Sequence, residues 1–437
     1  MSKKGLSRRD FMKVTGGLGA GALIGAKSFG VPAFVRQVGT PDLTDPAAVG
    51  AALTKEGAQV KIHSWGFGGL SDSIIPNAFT AYTQKKYGVP VTLTWSTNGD
   101  LDNGMTTLPI AGKIISDEGY DVIDKEEDSY AQILALDWTE PINLPQYAGL
   151  LDQLPNVEAP YVFHEPTMVQ DGADIYAMVY QGYEWLQGLL RKDKVDTSKY
   201  KDWTDLANPE LKGKGIDYAF NDGRGHYVFM GILNSLIKQK IVTGDLWSQD
   251  AWTQGITWWG KNLEQQILVY GDIGNDPTMQ LKLHTGDAWW GATWGSYVRE
   301  LLGTDWNQAG DLLFPFYPSS GIAADRQALR AAKGAPHPIA ARVLINWFAT
   351  DEFQNVGWTK DTPDATDATN HWNVTQSNYL TAYAGGIQPS NRTAGPTWSK
   401  PYYPADPGSL ILPVNWTWYI PQKQWISDTY DHIVKGI

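Results

Sequence analysis

Tyr183 and Trp185 stand two positions apart, Trp289, Trp290 and Trp294 fall within six, and the charged run Asp124-Lys125-Glu126-Glu127-Asp128 leads into Tyr130. Aromatic faces stack on methylene chains and sugar rings and attract cations, while carboxylates beside them pair with ammonium groups. That is the chemistry of holding a solute, not of breaking its bonds. The 437 residues include 20 Trp and 21 Tyr, well above ordinary usage, and no Cys. A thiol nucleophile, a disulfide and a thiolate metal site are thereby excluded. The seven His residues show neither His-x-x-x-His nor His-x-Glu spacing, and no G-x-S-x-G, G-x-x-x-x-G-K-S/T or G-x-G-x-x-G run occurs. Catalytic residues, a metal and a cofactor are accordingly not expected.

Each of these residues also has a plainer structural reading. Most Trp side chains of a folded chain fill cores, Asp222 is of a type preferred at helix starts, and the run at 124–128 suits a solvated loop. Trp289 and Trp290 are adjacent, so on a strand at most one of them lines a cleft. Tyr183 and Trp185 share a face if their segment is extended.

The pattern that positions these residues alternates between strands and helices. Residues 60–65 alternate like a short strand, Gly66-Phe67-Gly68-Gly69 breaks it, and helical spacing runs over 73–87. Residues 89–95 form the next strand, 101–116 have helical spacing, and Tyr120-Asp121-Val122-Ile123 is a third strand ending in the charged run. This alternation predicts a parallel sheet with helices on its faces, and solutes sit beyond the C-terminal ends of such strands. Trp65, Phe67, Asp124, Glu126 and Tyr130 then surround one mouth.

A second series follows the turn-rich stretch 143–172. It predicts strands at 174–179, 187–191 and 215–220, a short helix at 203–206, and a long helix from Asn221-Asp222-Gly223-Arg224 to about 239. Helices are expected near 249–265 and 279–284 and up to 302, and residues 311–316 read as the strand that returns the chain to the first lobe, ahead of a helix at 337–348. Repeated crossing implies a hinged pair with a shared cleft. Lobe 1 is expected from 34–172 and 311–360 and lobe 2 from 173–310, with a Pro-, Trp- and Tyr-rich segment at 361–437 packed on both.

Near the start, Ser7-Arg8-Arg9-Asp10-Phe11-Met12-Lys13 precedes a soft apolar stretch at 14–30. The segment resembles a twin-arginine (Tat) export signal, with Val31 and Ala33 marking cleavage before Phe34. It implies a signal at 1–33, the Tat translocase as partner during export, and a soluble periplasmic protein. Removing 1–33 takes away six Lys and Arg against Asp10 and moves the net charge from −12 to −17. That balance disfavours nucleic acid and anionic lipid as partners and favours a cationic or neutral solute.

Four stretches carry a wider resemblance: Tyr120-Asp121-Val122-Ile123, Asp174-Ile175-Tyr176-Ala177-Met178-Val179, the block from Trp203-Thr204-Asp205-Leu206 to Lys214, and Lys333-Gly334-Ala335-Pro336-His337-Pro338 leading to Trp347-Phe348. Together they resemble the substrate-binding proteins of ABC importers, in the extracellular solute-binding group that includes spermidine/putrescine and ferric-iron receptors, over about 60–358. The resemblance implies an α/β, two-lobe periplasmic-binding-protein (Venus flytrap, type II-like) fold with hinge crossovers. It also implies a monomer that closes on one solute and delivers it to an inner-membrane permease. Position by position, it implies stacking by Trp65 and Phe67, a carboxylate from Asp222, and an aromatic wall at Trp290 flanked by Trp294. Tyr317 is a further candidate, in a late segment that lacks the Trp and Asp the family carries there. Gly66 and Gly225 stand where the family carries acidic residues. A polyamine or other organic cation is the expected ligand, a sugar or oligosaccharide the alternative, and Arg224 at the cleft edge leaves room for an anion. A periplasmic glycoside hydrolase is the reading from another class.

Overall fold

A computed structural model of the chain describes residues 42–64, 70–97, 118–126, 133, 138–152, 162–164, 174–218, 220–222, 224–271, 276–294, 312–354 and 410–437. The export signal and the helices expected at 101–116 and up to 302 lie outside these residues. Asp45, accepting the Ala47 N–H, and Pro46 at the first position start α1 (Pro46–Lys55). The strand β1 (Gln59–His63) follows, then one π turn and α2 (Ile75–Tyr87), which closes on left-handed Gly88 at φ 73°. Next come β2 (Thr92–Ser96), β3 (Val122–Glu126), β4 (Thr139–Glu140) and β5 (Val162–His164). Both β2 and β3 pair with β1 in parallel, as the alternating pattern predicts.

Residues 174–179 and 187–191 were expected as separate strands. They are the two ends of one strand, β6 (Ile175–Arg191), 17 residues long. After it come β7 (Gly215–Tyr218), α3 (Arg224–Lys238), α4 (Gln249–Asn262), β8 (Ile267–Gly271), α5 (Asp276–Thr285), β9 (Trp290–Trp294) and β10 (Leu313–Phe316). The chain then forms β11 (Ile322–Ala332), α6 (Pro338–Phe348), β12 (Ile411–Leu412) and α7 (Trp416–Tyr430). Among the described residues the strands lie in the order β2-β1-β3-β11-β6-β9-β7-β8, with β5 and β10 added to β6 and β4 and β12 added to β11.

This one sheet serves two separate cores. The first collects Val60, Ile62, Phe79, Val122, Leu344 and Trp347, and the second Trp203, Ile216, Phe229, Trp252, Trp259 and Trp290. Two strands belong to both: β6 gives Ala177 and Met178 to the first core and Leu189 and Leu190 to the second, while β11 gives Leu329 and Ala331 to the first and Ile322 and Ala323 to the second. The stretch at 311–316, expected to return the chain to the first half, instead ends in β10. That strand pairs antiparallel with Gly188 to Arg191 and buries Leu313 and Phe316 in the second core. The return is made by β11, whose apolar run is long enough to span both.

Much of the aromatic excess is spent on packing. Trp203, Trp252, Trp259, Trp290 and Trp347 are each at most 1 % exposed. Helix α7 lies along α4, with Gln249 Nε2 donating to Gln422 Oε1 at 2.8 Å and Trp252 meeting Trp418 and Tyr419 at 5.6 and 6.1 Å. In this seam His226 Nδ1 sits 2.7 Å from the Tyr419 hydroxyl, and its ring meets Phe220 and Trp252 edge to face. Burial first, and the Lys423 charge second, hold its pKa down to about 3. A histidine lowered in this way stays neutral in the folded protein but takes up a proton in the unfolded chain, so stability falls as pH drops from 6.5 toward 3. The loss from this one group should reach on the order of 3 kcal/mol by pH 4. Urea unfolding of His226→Gln at pH 7 and pH 4 should show that much less acid sensitivity than the parent; equal sensitivity would contradict a neutral His226.

Candidate functional site

Register places the ends of both halves at one spot. In β3, Asp124 lies opposite Leu329 and the last residue, Glu126, opposite Gln327 of β11. In the other half the last residue of β9, Trp294, lies opposite Leu186 of β6, and β10 ends with Phe316 opposite Gly188. Strand β7 runs parallel to β9, as β1 and β2 run parallel to β3. The C-terminal ends of both sets of strands therefore converge on the stretch where β6 and β11 pass between the cores. Solutes bind beyond such strand ends in open α/β sheets.

At that stretch the pairing is irregular. Ala328 pairs with Val179 and Arg326 with Tyr183, so residues 180–182 of β6 stand opposite Gln327 alone. Extra residues in one strand disrupt the ladder locally, bend the strand and increase its twist. Tyr183 and Trp185 follow, opposite Arg326 and Ala324, with Glu184 opposite Asp325 between them. Positions 183 and 185 thus have one parity in the register.

The remaining candidates fall at strand ends, in the core or outside the described residues. Asp222 ends the 3₁₀ turn Phe220–Asp222 just past β7, and Arg224 is the first residue of α3. Tyr317 follows β10 directly and packs, half-buried, on the second core. Trp65, Phe67 and Tyr130 lie outside the described residues. Trp290, expected as a cleft wall, is 1 % exposed in the second core, where it fills the space left by Gly215; a Cβ there would fall 2.3 Å from the indole. Its neighbour Trp289, just before β9, packs half-buried against the same core and carries the Lys214 ammonium 5.0 Å from its ring.

Asp124 also departs from its reading as part of a solvated loop. It lies inside β3, 0 % exposed, and its Oδ2 accepts the Ser64 hydroxyl at 2.5 Å. Sequence reasoning missed the polar group around it. His63, 1 % exposed, meets Tyr120 edge-on at 5.5 Å, Tyr120 shares a hydrogen bond with Ser96 at 3.0 Å, and the Lys61 ammonium lies 4.7 Å from the Tyr120 ring. Arg330, 0 % exposed, donates from Nη1 to the carbonyls of Lys125 and Ala328 at 2.7 and 3.0 Å. The available signal was polar residues closing apolar strands. The Ser64 hydroxyl is engaged by the Asp124 carboxylate. The group locks the ends of β1, β2 and β3 together.

Two α/β cores joined by two through-running strands, with strand ends meeting at the crossing, define a periplasmic binding protein. The chain belongs to the bacterial extracellular solute-binding proteins, whose family model matches residues 39–376. A twin-arginine translocation pathway signal matches residues 5–25. The protein is therefore exported by the Tat route and works in the periplasm as the solute-binding component of an ABC transporter. Among solved structures it is similar to the spermidine/putrescine ABC transporter substrate-binding protein PotD of Streptococcus pneumoniae at 14 % identity and a TM-score of 0.58. It is also similar to a Trichodesmium protein in complex with iron and citrate, IdiA (FutA), at 14 % and 0.56. A third is the binding protein AgtB of A. tumefaciens R10 with agropinic acid, at 18 % and 0.52. Each of these comparisons covers 86 % of this chain and 99 % of the other. No curated protein matches the chain.

Proposed function

We propose that the solute is a small organic cation, a polyamine or quaternary amine, held in the crevice where the strand ends converge. The observation that supports this reading is the convergence of strand ends: β3 ends at Glu126 and β9 at Trp294 beside the stretch of β6 that carries Tyr183 and Trp185, and Asp222 and Arg224 follow the end of β7. Rings there supply cation–π attraction and carboxylates supply charge pairing. Asp124 and Trp290, both buried, are left out of the proposed contacts. Lobe 1 comprises 34–172 and the return up to 360, lobe 2 comprises 173–310 extended by β10, and the terminal helix α7 packs on the second core. The protein acts as a monomer without catalysis.

Closure about the irregular crossing at 180–182 would engage solute groups from both lobes, and the permease would read the closed shape. A thermal-shift panel of spermidine, putrescine, choline, glycine betaine, oligosaccharides and ferric citrate on the mature protein tests the assignment. An amine at a hundred times its Kd should add about 2.7 kcal/mol of stability by mass action. A shift from a sugar or an anion, with none from the amines, would replace the cation.

A further inference from the structure

The turn beyond β7 is gripped from behind by the end of α7. Phe220 stacks on Tyr430 with centroids 4.2 Å apart and planes 5° apart, and Asn221 Nδ2 donates to Asp431 Oδ1 at 2.8 Å. The Tyr430 hydroxyl donates to Glu264 Oε2 at 2.9 Å, the same oxygen that accepts Trp259 Nε1 at 2.9 Å, so the ring is fixed in place. Lys435 Nζ lies 2.9 Å from Asp431 Oδ1. That hydrogen bond, with a smaller one from Asn221, holds the Asp431 carboxyl below its usual range and keeps it an acceptor at neutral pH. In the first turn of α3, His226 meets the Tyr419 hydroxyl of the same terminal helix. Helix α7 and the turn after it thus contact the segment 220–226 on either side of Asp222 and Arg224.

We infer that Asp431, backed by Tyr430, is a positioning residue for the solute. Resting on the reading that residues after β7 face the crevice, the end of α7 fixes the backbone that carries Asp222 and Arg224, and so sets the affinity contributed by the second lobe. Binding groups held loosely by their supporting shell lose affinity without losing the fold. Asn221 is exposed and Asp431 half-exposed, so cutting their contact costs little stability, which separates positioning from folding.

The test uses the mature protein and its Asp431→Ala and Asp431→Asn variants. The measurements are calorimetric titration with spermidine, amide hydrogen exchange over 220–226 without solute, and the thermal midpoint. Asp431→Ala should raise Kd about 2- to 12-fold, the equivalent of one hydrogen bond. It should also speed exchange at 220–226 and move the midpoint by less than about 2 °C. Asp431→Asn keeps an acceptor oxygen for Asn221 and should retain the parent affinity and exchange. Unchanged exchange in Asp431→Ala, or faster exchange with an unchanged Kd, overturns the inference. A parent protein that ignores spermidine counts against the organic-cation reading alone, and the same Kd comparison is then made with the solute of the thermal-shift panel that raises the melting point most.

Discussion

Cutting Trp203 back to Ala is expected to lower the unfolding free energy by about 3–5 kcal/mol, the range for removing a fully buried indole. Trp203 is 1 % exposed, its Nε1 donates to the Gly321 carbonyl at 2.8 Å, and its ring meets Phe316 edge-on at 5.4 Å. Gly321, at φ 100°, immediately precedes β11. The same indole lies against Gly188 of β6 and Gly231 of α3, where an added Cβ would come within 3.5 and 2.3 Å of it. One side chain therefore pins the second-core ends of both through-running strands. Its loss opens a cavity at the base of the hinge, so solute affinity should fall together with stability. Urea unfolding measures the first effect; a loss below about 1 kcal/mol would show that the strands are aligned by something else.

Arg342→Ala should cost the first core about 3–5 kcal/mol, because removing one partner of a buried pair leaves the rest uncompensated. Arg342 is 0 % exposed in α6, with Nη2 donating to Glu140 Oε1 at 2.7 Å and to the Pro141 carbonyl at 3.0 Å. Its Nε and Nη1 reach the carbonyls of Ile142 and Pro338 at 3.4 and 3.3 Å, and the guanidinium lies 4.2 Å from the centre of the Tyr147 ring. Four acceptors converge on it. Lys carries a single ammonium and cannot serve this fan of acceptors, so Arg342→Lys should recover only part of the loss. Full recovery by Lys, measured by the same unfolding assay, would mean that the charge matters and the fork does not.

The strand–helix alternation made the architecture legible because its periods are local, and β1, β2, β7, α3 and α6 lie close to where their patterns put them. The break imagined inside β6 came from the mixed stretch 180–187, where Gln181, Gly182, Glu184 and Gln187 interrupt the apolar run while backbone pairing carries the strand through. Asp124 looked like part of a solvated run, yet the Ser64 hydroxyl that lets it be buried comes from a strand 60 residues earlier. Strand alternation allowed only one of Trp289 and Trp290 to face a cleft. Which of them is fully buried depends on the space at Gly215, a partner the local pattern does not reveal. Helix α7 was hidden by Pro421 in its interior, and tertiary packing of Trp416, Tyr419 and Tyr430 on the second core outweighs that breaker.

Small-angle scattering of the mature protein, alone and saturated with whichever solute raises its melting point most, tests capture by closure directly. Two lobes hinged at the irregular crossing of β6 and β11 should compact on binding, giving a lower radius of gyration that returns to its starting value when the solute is dialysed away. A solute that stabilises the protein while leaving the scattering curve unchanged would contradict capture between moving lobes.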